Sequence, residues 1–391
     1  MTLDLRAHFS EFLQARPGIY HLAAHSHHYW PDAACAAHRH ALGDAARLAD
    51  QKWETVFGTV VPRAQRGIAK ILSLPDPATI AFAPNTHDFV RRLLSALPAR
   101  RAPRILTSDS EFHSFTRQIA RLEEEELVTV ERVASEPFAT FAERFAVAAR
   151  RGNHDLVFVS QVFFNSAATC GPLDAIVRAV PGADTLVAID GYHGFMALPT
   201  NFVANAARSF YIAGGYKYAM AGENACFMHC PPGYAARPRD TGWFAAFGAI
   251  EAGAGSGVAY GKDGSRFMGA TFDPTGLYRM AAVFDWMDAI GLTVAAIHDH
   301  VLALQNKFLA EVERARIRPL MEAKLVTPVA DAARGHFLTF ECGQAQAIHD
   351  RLLREKIVTD VRGTRLRFGF GCYHTTADIE VAVAAIGRAL G

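Results

Sequence analysis

Cysteine is scarce in this chain: there are six in 391 residues, with no Cys-x-x-Cys pair among them. A disulfide scaffold and a four-ligand zinc site are both poor explanations for such a pattern. The closest pair, Cys226 and Cys230 with His229 between, lies in an apolar run and reads as core. An excess of one charge is also missing. Forty Lys and Arg face 39 Asp and Glu, for a net charge of +1. Nucleic acid and anionic membranes need a concentrated basic surface, so neither is an expected partner. No apolar run is long enough to span a bilayer. The first residues, Met1-Thr2-Leu3-Asp4-Leu5-Arg6, lack the basic-then-apolar pattern of a secretory signal, so the expected compartment is the cytoplasm. His25-Ser26-His27-His28 has no acids beside it in sequence and reads as a polar pocket wall, so no metal is expected.

Half the residues are hydrophobic, and a chain of this length is too long for one compact core. The expected division is a large domain over residues 45–280 and a smaller one formed by residues 1–44 and 281–391. From about residue 78 to residue 230, strand-like apolar runs alternate with helical patterns. The runs include Thr79 to Phe82, Arg104 to Thr107, Leu127 to Val130, Leu156 to Val159, Leu186 to Ile189, Ser209 to Ile212 and Cys226 to His229. Alternation of this kind implies a mostly parallel sheet with helices on both faces. Later the pattern changes. A long helical stretch covers Thr275 to Arg314, breaking near Gly291. Strands Gly335 to Phe340 and Arg365 to Phe370 flank a helix from Gln344 to Glu355, and a helix from Ala377 to Leu390 follows. That is an α+β pattern. The glycine-rich stretch Ala252 to Gly257 reads as a mobile loop.

Open parallel sheets bind ligands beyond the carboxyl ends of their strands. Asp190 ends one strand there, with His193 close behind. Lys217 follows the next strand, in Gly214-Gly215-Tyr216-Lys217-Tyr218. An acid and a lysine in that order suit pyridoxal 5'-phosphate (PLP). The lysine amine forms a Schiff base with its aldehyde, and the carboxylate holds its ring nitrogen protonated. Asn85 and Thr86 open a helix at the same edge, where free N–H groups suit a phosphate. Phe112 or His113, after another strand, offers a flat ring to stack on the cofactor.

Several segments then carry a resemblance: Asp190-x-x-His193, Gly215-Tyr216-Lys217-Tyr218, Gly242-Trp243-Phe244, Arg266-Phe267-Met268-Gly269-Ala270-Thr271 and Leu366-Arg367-Phe368-Gly369-Phe370. In this order they resemble a fold-type I PLP-dependent enzyme of the class V aminotransferase group, most similar to kynureninase. The resemblance runs from about Asn85 onward. It implies an α/β fold-type I PLP-dependent transferase architecture, with a mostly parallel central sheet in the large domain plus a smaller α+β domain. It also implies roles. Lys217 is the Schiff-base lysine. Asp190 holds the pyridine nitrogen, supported by His193, and Phe112 rather than His113 stacks on the ring. Thr86 and Tyr216 bind the phosphate, beside Asn85. Trp243 and Thr271 complete the cofactor site from a partner subunit, making a homodimer with shared sites. Arg367 grips the substrate carboxylate, a task suited to a guanidinium fork. His25 and Ser166 lie in segments bordering the substrate.

Those bordering segments depart from the family. Met220-Ala221-Gly222-Glu223-Asn224 stands in place of Asn-Gly-Gly-Pro-Gly. Gln161-Val162-Phe163-Phe164-Asn165-Ser166 replaces a more polar stretch, and His25-Ser26-His27-His28 replaces Asn-Ser-Leu-Gly. The expected reaction is hydrolytic Cβ–Cγ cleavage of a kynurenine-type amino acid, with Lys217 moving the α-proton and Tyr216 as acid. Transamination of an α-amino acid is the alternative, and a catalytically inactive binding protein of the same fold is a third. A cysteine desulfurase needs a thiol shortly before the substrate arginine, and Ile357 to Thr364 contain none.

Overall fold

The computed structural model describes residues 3–246, 257–330 and 334–391. Most of the glycine-rich stretch, residues 252–256, lies outside the described residues. The central sheet has seven strands: β2 (Ile80–Ala83), β3 (Arg104–Ser108), β4 (Thr129–Val133), β5 (Leu156–Ser160), β6 (Leu186–Asp190), β7 (Phe210–Ala213) and β8 (Cys226–His229). Their order is β2-β8-β7-β6-β5-β3-β4. Strands β3 to β7 pair in parallel, whereas β8 is antiparallel to both its neighbours, β7 and β2. Two reversals restore direction, so β2 runs the same way as β7. The carboxyl ends of β2, β3, β5, β6 and β7 therefore share one edge.

The strand sequences explain why the sheet is covered on both faces. Leu186 to Ile189 and Phe210 to Ala213 are buried at every position, as expected of strands packed between two helical layers. The helix His113–Glu124 shows how that layer attaches. Its Phe115 ring stacks on Phe158 of β5 at 3.8 Å and 6°. Burying one such side chain contributes about 1.5–3 kcal/mol. At the edge, β4 is only partly buried, and its Glu131 and Arg132 form ion pairs with Arg151 and Glu123. Charges there discourage further strand pairing. The strand begins at Thr129 rather than Leu127, because Leu127 is exposed and its N–H closes the preceding turn on the Leu122 carbonyl.

A second, antiparallel sheet has the order β12-β13-β10-β9: β9 (Lys324–Leu325), β10 (Phe337–Glu341), β12 (Asp360–Arg362) and β13 (Arg365–Gly369). The N-terminal segment joins this region directly. Strand β1 (Tyr20–His21) pairs in parallel with β11 (Ile357–Val358), and the Gly369 N–H donates to the Leu22 carbonyl at 2.7 Å. Gly369 is needed for this approach, because a Cβ there would lie 2.0 Å from His25 Nδ1. The long helical stretch is two helices, Thr275–Ala289 and Val294–Arg314, bent by 88° around Gly291, whose φ is +66°. The helix Asp32–Leu48 packs against Thr275–Ala289. The divisions anticipated at 44/45 and 280/281 fall inside these two packed helices. Among the described residues, no single helix is long and apolar enough to cross a membrane.

Candidate active site

Lys217 lies four residues beyond β7, in a turn that admits no bulk. A Cβ on Gly214 would fall 2.4 Å from the Tyr192 hydroxyl and 2.5 Å from Cys226 Sγ. The turn buries Lys217 to 5% exposure and brings its Nζ to 2.8 Å from His193 Nε2. Burial disfavours the ammonium and lowers the Lys217 pKa to about 7. The Asp190 carboxylate opposes that shift, and Arg367 adds to it. His193 is also buried, and burial together with Lys217 holds its pKa well below the usual histidine value. Neutral His193 can therefore accept from Lys217 at Nε2. Its Nδ1 then carries the ring proton, and that atom has no partner among the described residues.

Asp190 sits one strand over, at the end of β6. It keeps a little exposed surface, yet the protein around it is dense enough to raise its pKa by burial. The Tyr192 N–H, donating to Oδ1 at 2.9 Å, and Lys217 both act to hold the carboxylate charged. Rings wall the lysine. Its Nζ lies 4.7 Å from the centre of Tyr192, 5.2 Å from Phe112 and 5.7 Å from Tyr216. Phe112 is half-buried against Phe164, whereas His113 is exposed. Burial raises the Tyr216 hydroxyl to about 12, so it stays protonated at neutral pH, and its ring stacks on His27 at 5.1 Å.

Asn85 caps the helix Thr86–Ser95, its side chain accepting from the Asp88 N–H at 3.0 Å. Thr86 is the first residue of that helix and is partly exposed. This helix starts at the same sheet edge as Asp190 and Lys217.

The smaller sheet supplies the opposite wall. Arg367 is 3% exposed. Its Nη1 donates to the Phe164 carbonyl and its Nη2 to Asp360 Oδ2, while Nε has no partner among the described residues. Two of its five N–H groups are used, and three remain. Burial lowers its pKa, and Asp360 raises it. Asp360 also pairs with Arg362 at 2.9 Å, and its carboxylate lies 3.6 Å from His25 Nε2. His25 is fully buried, stacks on Phe337 at 4.7 Å, and is held neutral by burial and by Arg367. The Phe337 ring is a common floor, 5.3 Å from His193 and 5.6 Å from the Arg367 guanidinium. Arg365, on the same strand, turns instead to Glu136 and Glu341.

Lys217, Asp190, His193, Phe112, Tyr216, Arg367 and His25 are thus one cluster. Ser166 is placed differently. Its Oγ accepts from the Ala168 N–H at 3.2 Å, closing its own turn, and its carbonyl accepts from Thr327. From that segment the Phe164 carbonyl and Asn165 reach the cluster's surroundings. Trp243 and Thr271 lie on loops joined by the Phe244 N–H to Gly269 carbonyl bond, and both are exposed, Trp243 at 48%. Their placement leaves them facing outward rather than against Lys217. The three histidines also diverge: His28 turns away to the Tyr29 carbonyl at 2.7 Å.

Four residues at the site escaped the sequence reading: Tyr192, Phe164 through its carbonyl, Asp360, and the buried Glu111, whose oxygens accept from the Ser108 and Ser160 hydroxyls at 2.5 Å. Only Asp360 had a visible signal. Asp360-Val-Arg-Gly-Thr-Arg-Leu-Arg367 reads as two short strands around Gly363, and that hairpin sets Asp360 opposite Arg367.

Residues 297–386 match the family described as the kynureninase C-terminal domain, a segment that contains Arg367 and Asp360. Across the whole chain the likeness is to solved structures. One is a lysine-to-alanine variant of C-DES with glycine covalently linked to its PLP cofactor. It is 18% identical, with a TM-score of 0.78 and all of both chains covered. Another is the cysteine desulfurase CsdA from Escherichia coli, 16% identical with a TM-score of 0.78, covering 99% of this chain and 97% of that one. The cysteine desulfurase from Thermococcus onnurineus is 13% identical at the same TM-score, covering 100% and 99%. At these identities the chain shares their α/β fold, with its mostly parallel central sheet. No curated protein matches the sequence.

Proposed function

We propose that this chain is a PLP-dependent enzyme acting on an α-amino acid, by a kynureninase-like hydrolytic cleavage of the Cβ–Cγ bond. The observation that carries the reading is the enclosed Lys217 amine, 2.8 Å from His193, with Asp190 at the end of the adjacent strand. A solvated surface lysine has neither neighbour, and its pKa is not lowered to about 7.

The donor set fits the cofactor. Lys217 would hold it covalently, Asp190 would face its ring nitrogen, and Phe112 would cover its ring. Thr86, the helix N–H groups beside Asn85, and Tyr216 would hold its phosphate. When bound, the cofactor supplies a sink for the electron pair left at the substrate Cα. The remaining work falls to the chain. Lys217, near neutral, takes the α-proton, and His193 orients the amine through Nε2. Arg367 offers its three unused N–H groups to the α-carboxylate while Asp360 and the Phe164 carbonyl fix its plane. Tyr216 remains protonated and serves as an acid. In the hydrolysis, water adds at the γ-carbonyl, the Cβ–Cγ bond breaks, Cβ takes a proton, and alanine and a carboxylic acid leave.

The match over residues 297–386 favours this reaction over transamination. The segment shortly before the substrate arginine, where a desulfurase needs its thiol, offers none. Cys372 is buried, with its pKa pushed up to about 12, and Ile357 to Thr364 contain no cysteine. Trp243 and Thr271, both exposed, would meet a second copy in a homodimer.

The test has two parts. Purified protein with PLP should develop a visible absorption band. Borohydride should then fix the label on the peptide carrying Lys217. Label elsewhere, or none, sinks the reading and leaves an inactive scaffold. PLP-loaded enzyme that has not been reduced, given kynurenine, should release alanine, whereas release of the α-keto acid would replace hydrolysis by transamination.

A further inference from the structure

Arg279, on the helix Thr275–Ala289, has no place in the chemistry above, yet it is 4% exposed. Its Nε donates to the Ala221 carbonyl and its Nη2 to the Glu223 carbonyl, each at 2.5 Å. Its Nη1 donates to His38 Nδ1 at 2.8 Å. The guanidinium also lies 4.6 Å from the centre of the Trp30 ring. Asp273 and Glu223 favour its charge, and burial opposes it. Keeping a charge this enclosed is costly, and what it secures is two carbonyls of one loop.

That loop, Met220 to Asn224, comes shortly after Lys217 and is strained. Met220 has a φ of +56°, Gly222 of +68° and Asn224 of +59°. Side chains in this left-handed region persist only where their surroundings over-determine them. Trp30 closes the loop from one side, since a Cβ on Gly222 would lie 2.3 Å from its ring. The loop in turn holds the lysine. The Met220 N–H donates to the Lys217 carbonyl at 3.0 Å, and the Ala221 N–H to the Gly215 carbonyl at 2.8 Å. The carbonyl between them, on Tyr216, accepts from the His28 N–H at 3.0 Å. Three successive carbonyls at the reactive residue are thus fixed, two of them by the loop that Arg279 grips.

We infer that Arg279 is a positioning residue for Lys217. By holding the Ala221 and Glu223 carbonyls it keeps the strained loop wound, and the wound loop holds the turn that delivers the amine to His193. The inference rests on the reading in which Lys217 is the Schiff-base lysine, but the hold on the turn can be tested without cofactor.

Without the fork of Arg279 the loop relaxes and releases the Gly215 and Lys217 carbonyls. The amine then loses its 2.8 Å approach to His193 and gains water. The other groups that bear on it are Tyr192, Asp190 from β6, Cys226 from β8, and Arg367 and Asp360 from the smaller sheet. Burial and Arg367 favour the free amine, and the two acids oppose them. Hydration therefore returns the amine toward its charged form. Arg279→Lys keeps the charge and loses the fork, so a change seen in it reports the loop and not the field of the arginine.

The experiment compares wild type, Arg279→Lys and the milder Trp30→Leu, which keeps apolar bulk but loses the ring beside Gly222 and Arg279. Two quantities are read: amide hydrogen exchange in the cofactor-free protein, and the rate at which added PLP becomes fixable to Lys217 by borohydride. In Arg279→Lys the Met220 and Ala221 amides should exchange about tenfold faster than in wild type, while amides of β6 and β7 keep their rates. PLP capture near pH 7 should be severalfold slower, and the shortfall should close toward about pH 10, where the amine is free in either protein. Unchanged exchange at Met220 and Ala221 overturns the inference. So does faster exchange with superimposable capture profiles, which makes Arg279 a support of the loop alone. Should Arg279→Lys fail to fold, Trp30→Leu decides by the same two readings, with exchange about threefold faster expected. If no protein, wild type included, fixes PLP at Lys217, the proposed function falls instead, while the exchange rates still decide whether Arg279 holds the turn.

Discussion

The two walls of the site handle charge in opposite ways. On the central sheet, Lys217, Asp190, His193 and Glu111 are enclosed with little to neutralise them, and burial moves each pKa toward its uncharged form. On the smaller sheet, Arg367 and Asp360 form a buried ion pair, and Asp360 pairs in addition with the exposed Arg362. An uncompensated group changes protonation readily, which suits proton transfer. A paired one resists change and holds its geometry, which suits recognition. The difference follows from the strands. Parallel strands deliver residues at their ends, singly, from separate loops. An antiparallel hairpin delivers Asp360 and Arg367 opposite each other in register.

The sharpest way to break this contrast is to remove the central uncompensated group. Lys217→Ala should abolish borohydride-fixed PLP and turnover altogether, as read by peptide mass and product assay. A remaining reducible adduct would remove Lys217 from the central role. Next comes the paired wall. Asp360→Ala leaves the Arg367 charge buried without its partner, so stability should fall by roughly 3–5 kcal/mol, measured by denaturant unfolding. If Asp360→Ala is as stable as wild type, the smaller sheet does not depend on its ion pairs. Arg367→Lys is milder. It keeps the charge but loses the fork, and should retain PLP while weakening substrate binding by about 1.5–3 kcal/mol. Half-saturation for the amino acid measures it, and an unchanged value would remove Arg367 from the site. The smallest effect is the one pH imposes on Lys217. Its pKa is lowered to about 7, so the amine is mostly protonated below that value and mostly free above it. Capture of PLP by the cofactor-free protein should slow about tenfold for each pH unit below 7, since only free amine reacts. A profile still rising toward pH 10 would show a lysine with its ordinary pKa.

Much of the fold was legible because burial on two faces writes continuous apolar runs. The run from Leu186 ends at Asp190 in both sequence and structure, and the break near Gly291 is where the two helices bend. Thr129–Val133 was less legible, since an edge strand carries charges that blur the pattern. In the site, Lys217, Asp190 and His193 stood out because glycines and strand ends flank them. Glu111 did not, because an acid between a serine and a phenylalanine in a loop looks solvated. Only the sheet's lateral order, which places Ser108 and Ser160 around it, reveals its enclosure. Asn165 and Ser166 could not be told apart by pattern, because a turn decides which of them faces in.

The close pass of His25 over Gly369 has a consequence for biosynthesis. Tyr20 and Ile357 are neighbours in space but lie almost a full chain length apart. As the chain leaves the ribosome, the central sheet with Asp190 and Lys217 is complete long before β13 appears. Domains fold largely in order of synthesis, and contacts this distant in sequence are slow to form. The lysine wall is therefore built first, and the N-terminal segment must wait, unpaired, for the last strands to receive it. The wall that carries Arg367 and His25 is completed last, when the two ends of the chain meet.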